Sequence, residues 1–394
     1  MVNCGPRIYN SAEMIVLRIA AAGLLTATLL AAQQNSQQAG ANSGTIRIDP
    51  AYRSIAAATG GHALPIEPAE LGTPPSTTLL LALATHDAKI LAIDQATVSG
   101  PRRYEFPVDG SVRGLSVIVS GAARVALKGP DGFDVVAGPA GIEVVRLKRV
   151  TGYVIDAPKP GVWSVSVDAS EPFLLTAEAK SAMDLLDARF VEQGGRPGHE
   201  GLFAIDGTPA AGEPGLLEIS MMDRLPQIAV SLRRPNGETL LMPAISQHDR
   251  EQFWANFTVP SEPFRVYVSA EDAAGNTIQR AQSATVSPQR FFVKPVEPLI
   301  TVWPGDPATV RFRFVNRGES SSFAAYGVMD DGTLAPVEPQ NFEAGAGQTV
   351  ELKVTLKLPF DAQAGSMRDL MLTVTSNRTG GYNSATQKIE ARSR

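Results

Sequence analysis

From about Arg102 onward, apolar and polar residues alternate in short runs broken by glycine, proline, asparagine and aspartate, the pattern of half-buried strands joined by turns. Leu115, Val117 and Val119 share one face of such a run, and Val125 and Leu127 share one face of the next. Pro130, Asp131 and Gly132 come after it. Proline fixes φ, aspartate bonds its own backbone and glycine accepts positive φ, so a tight connection is expected there. Tyr153 and Ile155 lead on to Gly161 and "VWSVSV", in which Trp163, Val165 and Val167 project together. Trp163 is therefore expected in a core rather than on a ligand platform.

A second region repeats this logic. "VSLRRPNG" stands where the first has "VALKGPDG", and Phe264, Val266 and Val268 precede an "EDAAGN" turn. The pair reads as a hairpin device used twice, in a weak internal repeat. Further on, Val310, Phe312 and Phe314 alternate with arginines, and Val350, Leu352, Val354 and Leu356 alternate with polar residues. One buried and one solvated face per sheet is the mark of a two-sheet sandwich. The fold class expected is all-β, with tandem β-sandwich domains, immunoglobulin-like or jelly-roll-like, at 77–190, 191–290 and 291–394. Strands are expected from about Thr77, after a Pro-punctuated linker at "LPIEPAELGTPPS".

The first residues break the pattern. An apolar stretch from Ile15 to Ala32, interrupted by Arg18, ends in small and polar residues and reads as a signal peptide over 1–32. Cleavage after Ala32 places Leu30 where a smaller residue is preferred, so an uncleaved anchor is the alternative. Residues 33–76 are expected to form a flexible spacer that carries a short helix, "AYRSIAAATGG", and the linker. Cys4, the one cysteine, falls in the removed segment, which leaves a mature chain without disulfides or thiol chemistry. An exported, disulfide-free chain suits the periplasm or exterior of a bacterium.

Composition narrows the role. A net charge of −5 without a basic run argues against nucleic acid and against a polybasic membrane patch. The 35 glycines and 29 prolines suit turn-rich β-domains. His62, His86, His199 and His248 are far apart and form no close metal-ligand pair, so they are expected at solvated loop positions. Glu271, Asp272 and Asn276, and likewise Asp330 and Asp331, offer oxygens for calcium, but their spacing suits turns better. Asn256 and Asn377 begin glycosylation-type triplets that matter only in a eukaryotic host. No nucleophile elbow is present, and no catalytic, cofactor or metal residue is assigned.

Tyr52, Ile55, Ala56, Thr59, Gly60 and Gly61, then Pro107, Val108 and Asp109, then Gly161 and Trp163 resemble the region that follows the von Willebrand A domain in hemicentin and related proteins. The resemblance spans most of 51–290. It implies that "AYRSIAAATGG" is the closing helix of an A domain whose body is absent, followed by a "PVD" strand start, a Gly-x-Trp strand and immunoglobulin-like domains. The A domain's metal-dependent adhesion motif does not occur here and is not carried over. The expected role is that of an exported, non-enzymatic protein contacting an envelope or extracellular protein. A carbohydrate-binding accessory protein and, less well supported, a secreted hydrolase are the alternatives.

Overall fold

The computed structural model describes residues 50–84, 88–96, 100–121, 123–194, 201–221, 225, 227–248 and 251–392, with the backbone of Ile15–Leu17. The rest of the expected signal peptide, Cys4 and the 33–45 spacer lie outside the described residues. The chain divides into two compact units. Unit 1 takes Met1–Leu185, Leu225–Leu241 and Arg265–Thr285; unit 2 takes Leu186–Arg224, Met242–Phe264 and Val286–Arg394. The segment read from sequence as 191–290 therefore contributes strands to both.

Unit 1 begins with β1 (Ile15–Leu17), α1 (Pro50–Thr59), β2 (His62–Leu64) and α2 (Pro74–Leu83). β1 pairs antiparallel with β2. The strands β3 (Ala88–Ala96), β4 (Gly100–Val108), β5 (Val112–Ser120), β6 (Ala123–Lys128), β7 (Ile142–Arg146), β8 (Val150–Asp156), β9 (Gly161–Ala169) and β10 (Phe173–Ser181) follow. They build a five-stranded sheet, β3-β10-β5-β8-β7, and a three-stranded sheet, β4-β9-β6. Leu115, Val117, Val119, Val125, Leu127, Trp163 and Val165 meet in one core, as the alternation predicts. Trp163 is 1% exposed, and its indole N–H donates to the Lys159 carbonyl at 2.9 Å.

The middle of the chain supplies β11 (Leu185–Gly194), β12 (Gly201–Ala204), β13 (Pro214–Met221), β14 (Ala229–Arg233), β15 (Thr239–Leu241), β16 (Ile245–Gln247), β17 (Gln252–Thr258), β18 (Arg265–Glu271) and β19 (Thr277–Ala281). The sheet β15-β14-β18-β19 lies in unit 1, and β12-β11-β13-β17-β16 in unit 2. Unit 2 ends in β20 (Phe291–Pro295), β21 (Ile300–Val302), β22 (Pro307–Asn316), β23 (Ser321–Met329), β24 (Leu334–Ala335), β25 (Val337–Glu338), β26 (Asn341–Ala344), β27 (Thr349–Lys357), β28 (Met367–Ser376) and β29 (Tyr382–Ala391). These form the sheets β20-β22-β27-β25 and β21-β29-β28-β23-β24, with β26 beside β23. Val310, Phe312, Phe314, Leu352, Val354 and Leu356 fill the core, while Arg311 and Arg313 face solvent. The fold is all-β, built of tandem β-sandwich domains.

One turn recurs in both units. Gly132 donates its N–H to the Gly129 carbonyl at 2.9 Å, Gly237 to Arg234 at 2.9 Å, Gly275 to Asp272 at 3.0 Å and Gly332 to Met329 at 2.8 Å. The first residue of each then donates its own N–H to the carbonyl of the residue after the glycine. These glycines have φ of 76°, 82°, 81° and 84°, the left-handed position that closes a hairpin with a bulge. The device read twice from sequence is thus used four times among the described residues. "EDAAGN" and "MDDG" are two of the four.

Two expectations are corrected. Strands do not begin at Thr77, because Pro74–Leu83 is a helix. Prolines suit a first turn that needs no N–H donor, and Leu79 and Leu83, one helical turn apart, are buried against Leu64, Ile66, Ile118, Val145 and Val150. A continuous apolar run does not by itself tell helix from strand. The Ser76 hydroxyl, buried at the start of α2, donates toward the Glu70 carbonyl at 2.7 Å. Ser76→Ala is expected to cost about 1 kcal/mol in urea unfolding, with the α2 site otherwise unchanged. The second correction concerns Pro107 and Val108, which end β4 rather than start a strand.

The helix of "AYRSIAAATGG" is part of unit 1. Ala56 and Ala57 are buried with Ile90, Ile93, Leu174, Tyr267 and Ala281. Gly60, at φ 71°, ends the helix, and the Gly61 N–H bonds the Ala56 carbonyl at 2.9 Å. The next two carbonyls are met from far along the chain: Arg265 donates to Ala57, and the Thr285 N–H bonds Ala58 at 2.7 Å. A cation at a helix C-terminus also opposes the negative end of its dipole.

Candidate functional site

Strand alternation assigns the two faces of the β4-β9-β6 sheet. Phe106, Trp163, Val165, Val125 and Leu127 point into the core, which leaves their neighbours outside. On that outer face Arg103 aligns with Ser166 and Ala126, and Pro101 aligns with Asp168 and Arg124. An open groove of about 460 Å³ runs over these residues, and Arg102 and the backbone about Val125 and Val167 also border it. Three arginines against one aspartate make it positive, on a chain whose net charge is −5. Arg103 reaches Glu105 at 3.0 Å, both well exposed. The groove's shape and charge suit binding.

Beside it, Asp94 on β3 is 5% exposed, and its Oδ1 lacks a hydrogen-bond partner. The 235–237 turn covers it: the Gln95 N–H bonds the Pro235 carbonyl at 2.8 Å, and a Cβ at Gly237 would lie 2.6 Å from Asp94 Oδ2. Burial pushes the Asp94 carboxyl up to about 7, Glu238 adds to this and Arg102 opposes it. Tyr104, raised to about 12 chiefly by burial, feels the same carboxylate.

Other buried charges of unit 1 hold it together. Asp109 and Arg280, each 1% exposed, meet at 2.7 Å. Arg280 also donates to the Ser111 and Ser181 hydroxyls and to the Met183 carbonyl at 3.2, 2.7 and 3.0 Å. Burial alone would raise the Asp109 carboxyl; the Arg280 hydrogen bond and charge, with Ser111, hold it below its ordinary value. Arg265 is pulled down to about 10 by burial.

The histidines divide. His62 is buried on β2, not on a solvated loop, and its ring nitrogens meet Glu178 at 3.1 Å and Thr176 at 3.2 Å. This corrects the sequence expectation; the apolar neighbours in "HALPI" were its only local signal. His248 is exposed and stacks on Trp254, ring centres 3.9 Å apart. His86 and His199 lie outside the described residues. Asp272 caps its turn through Asn276 at 2.9 Å, a bond that lowers its pKa. Asp330 and Asp331 both hold Arg368, at 2.6 and 2.8 Å. Asn256 and Asn377 are exposed. Asp94, Arg265 and the Asp109–Arg280 pair went unread in the sequence, where only the carboxylate inside "KILAID" stands out.

Among the described residues no helix is long and apolar enough to cross a membrane. No protein-family model matches the sequence, and the search of curated proteins returns no significant match. Among solved structures, the chain is similar to a DUF4785 family protein of Legionella pneumophila, 12% identical over 77% of this chain and 93% of that one, with a TM-score of 0.39. It is also similar to fibronectin(III)-like modules of Clostridium thermocellum CbhA, 13% identical over 48% of this chain and 93% of that one, with a TM-score of 0.18. A tandem from titin is 9% identical over 77% of this chain and 99% of that one, with a TM-score of 0.17.

Proposed function

We propose that this chain is an exported, non-enzymatic modular protein whose sandwich surfaces contact another protein in the cell envelope or outside the cell. The observation that carries the reading is the open, positively charged groove on the outer face of the β4-β9-β6 sheet. In unit 1 the buried Asp109 pairs with Arg280 and the buried His62 meets Glu178, whereas Arg103 and Arg124 stand exposed on that face. The resemblance of 51–290 to the region after the A domain of hemicentin agrees with a contact role.

Crosslinking from intact cells with a tagged full-length chain, followed by mass spectrometry, tests this. A stoichiometric protein partner is expected, with the mature bait beginning near Gln33. Turnover on an ester and glycoside panel would overturn the non-enzymatic reading. A second reading, a carbohydrate-binding accessory protein, draws on Trp254, which lies across from Glu218 on β13 and is half-buried. His248 already stacks on that ring and Trp163 is buried; Trp303 is 37% exposed, with the Arg392 guanidinium over its ring. Retention on insoluble polysaccharide would favour this second reading.

A further inference from the structure

Resting on that contact reading, we infer that the groove on the β4-β9-β6 sheet binds an extended, acidic segment of the partner protein, with Arg103 and Arg124 receiving its carboxylates. The charge pattern is the first argument. The groove gathers Arg102, Arg103 and Arg124 around a single carboxylate, Asp168, although the whole chain carries −5. Among the described residues Arg124 makes no ion pair, even though Asp168 stands directly across from it in register. Arg103 holds only Glu105, in an exposed pair that is worth little and exchanges readily for an incoming carboxylate.

Geometry is the second argument. Arg103 on β4 and Arg124 on β6 flank β9, two strand spacings apart and offset by two residues along it, roughly 12 Å between backbones. Side chains on one face of an extended peptide repeat every ~7 Å, so carboxylates at alternate positions fall within the reach of two flexible guanidinium groups. Arginine receives a carboxylate through two parallel N–H···O bonds, which fixes orientation as well as charge. Between the arginines the outer face presents Ser166 and Asp168 of β9, with Pro101 and Ala126 at the sides. Pro101 and Ala126 offer apolar contact to the methylene stems of glutamates. No aromatic ring among the described lining residues offers a sugar a stacking surface.

The test is fluorescence anisotropy of the full chain with fluorescein-labelled octaglutamate, at low and high salt, with octaserine and polygalacturonate as competitors. Binding that weakens with salt is expected, because exposed ion pairs are screened. The exposed Arg103→Glu and Arg124→Glu changes, combined, are expected to weaken it by at least about tenfold with an unchanged thermal melt. Asp168→Lys removes the groove's own carboxylate and is expected to strengthen binding. Equal affinity across these variants, or no binding of octaglutamate at low salt, overturns the inference. Polygalacturonate displacing the peptide at lower concentration assigns the groove to an acidic polysaccharide and overturns it too. Crosslinking with the doubly reversed chain separates the two levels. If it captures the same partner as the wild type, the groove inference fails and the contact reading stands; if neither captures a protein, the contact reading fails.

Discussion

Replacing Arg280 by methionine is expected to lower the unfolding free energy of unit 1 by about 3–5 kcal/mol at pH 7, because the Asp109 carboxylate is then left buried and unpaired. Arg280 is the hub of a network. Its guanidinium bonds Asp109 at 2.7 Å, two serine hydroxyls and the Met183 carbonyl, and it is 1% exposed. Urea unfolding of chains in which Trp254 and Trp303 are replaced by phenylalanine, followed by the fluorescence of Trp163, itself buried in unit 1, reads the loss. The double variant Asp109→Leu with Arg280→Met is expected to recover most of it, since removing both charges removes the desolvation cost along with the attraction. A single-variant loss below about 1 kcal/mol would contradict a buried pair. The pair also sets an acid limb. Because the folded Asp109 lies below its ordinary value, its contribution is present above the unfolded pKa and is lost as pH falls through the folded one.

Asp94→Asn is expected to act in the opposite direction and to stabilise unit 1 at pH 8. In the folded chain the Asp94 carboxyl titrates at about 7, against 3.8 without the fold, so the native state holds a proton that the unfolded state has already released. Stability on this account is full below pH 4, falls as pH rises toward 7 and is flat above it. A difference of that size is worth on the order of 4 kcal/mol, about one decade of equilibrium per pKa unit. Asparagine keeps the shape of the protonated acid and has no charge to bury, so the gain is expected at pH 8 and is expected to vanish at pH 4. Matched urea titrations of the two chains at the two pH values check it. A gain independent of pH would show that the side chain's charge is not what the site resists. Amide exchange at Gly237 and Glu238 gives a local readout, because the 235–237 turn is held to β3 through Gln95 and meets Asp94.

The groove shows how far the candidate site was legible. Alternation in "GVWSVSV" and "ARVALK" already divides inward from outward residues, so Arg124, Ser166 and Asp168 can be placed on an outer face without a structure. That β4 and β6 flank the same strand, which brings Arg103 beside Ser166 and Arg124 beside Asp168, requires the strand order. β18 makes a similar point. Phe264, Val266 and Val268 read as a single buried face, yet Tyr267 between them is also buried, because the second face is covered by α1 and β3.

By itself the sequence determined the strand character, the composition of the cores, the burial of Trp163 and the turn chemistry, because each depends on residues within a few positions of one another. Periodicity of two and the φ of glycine and proline are local properties, and they survive any arrangement of the strands. Tertiary structure alone decided that Pro74–Leu83 is a helix, that His62 is buried, and that Arg265 caps α1 from 208 residues away. The Asp109–Arg280 pair, 171 residues apart, belongs with these. The physical reason is that a charge becomes buried only when the chain's topology closes an apolar environment around it, and that closure is a property of the whole unit rather than of any run of residues.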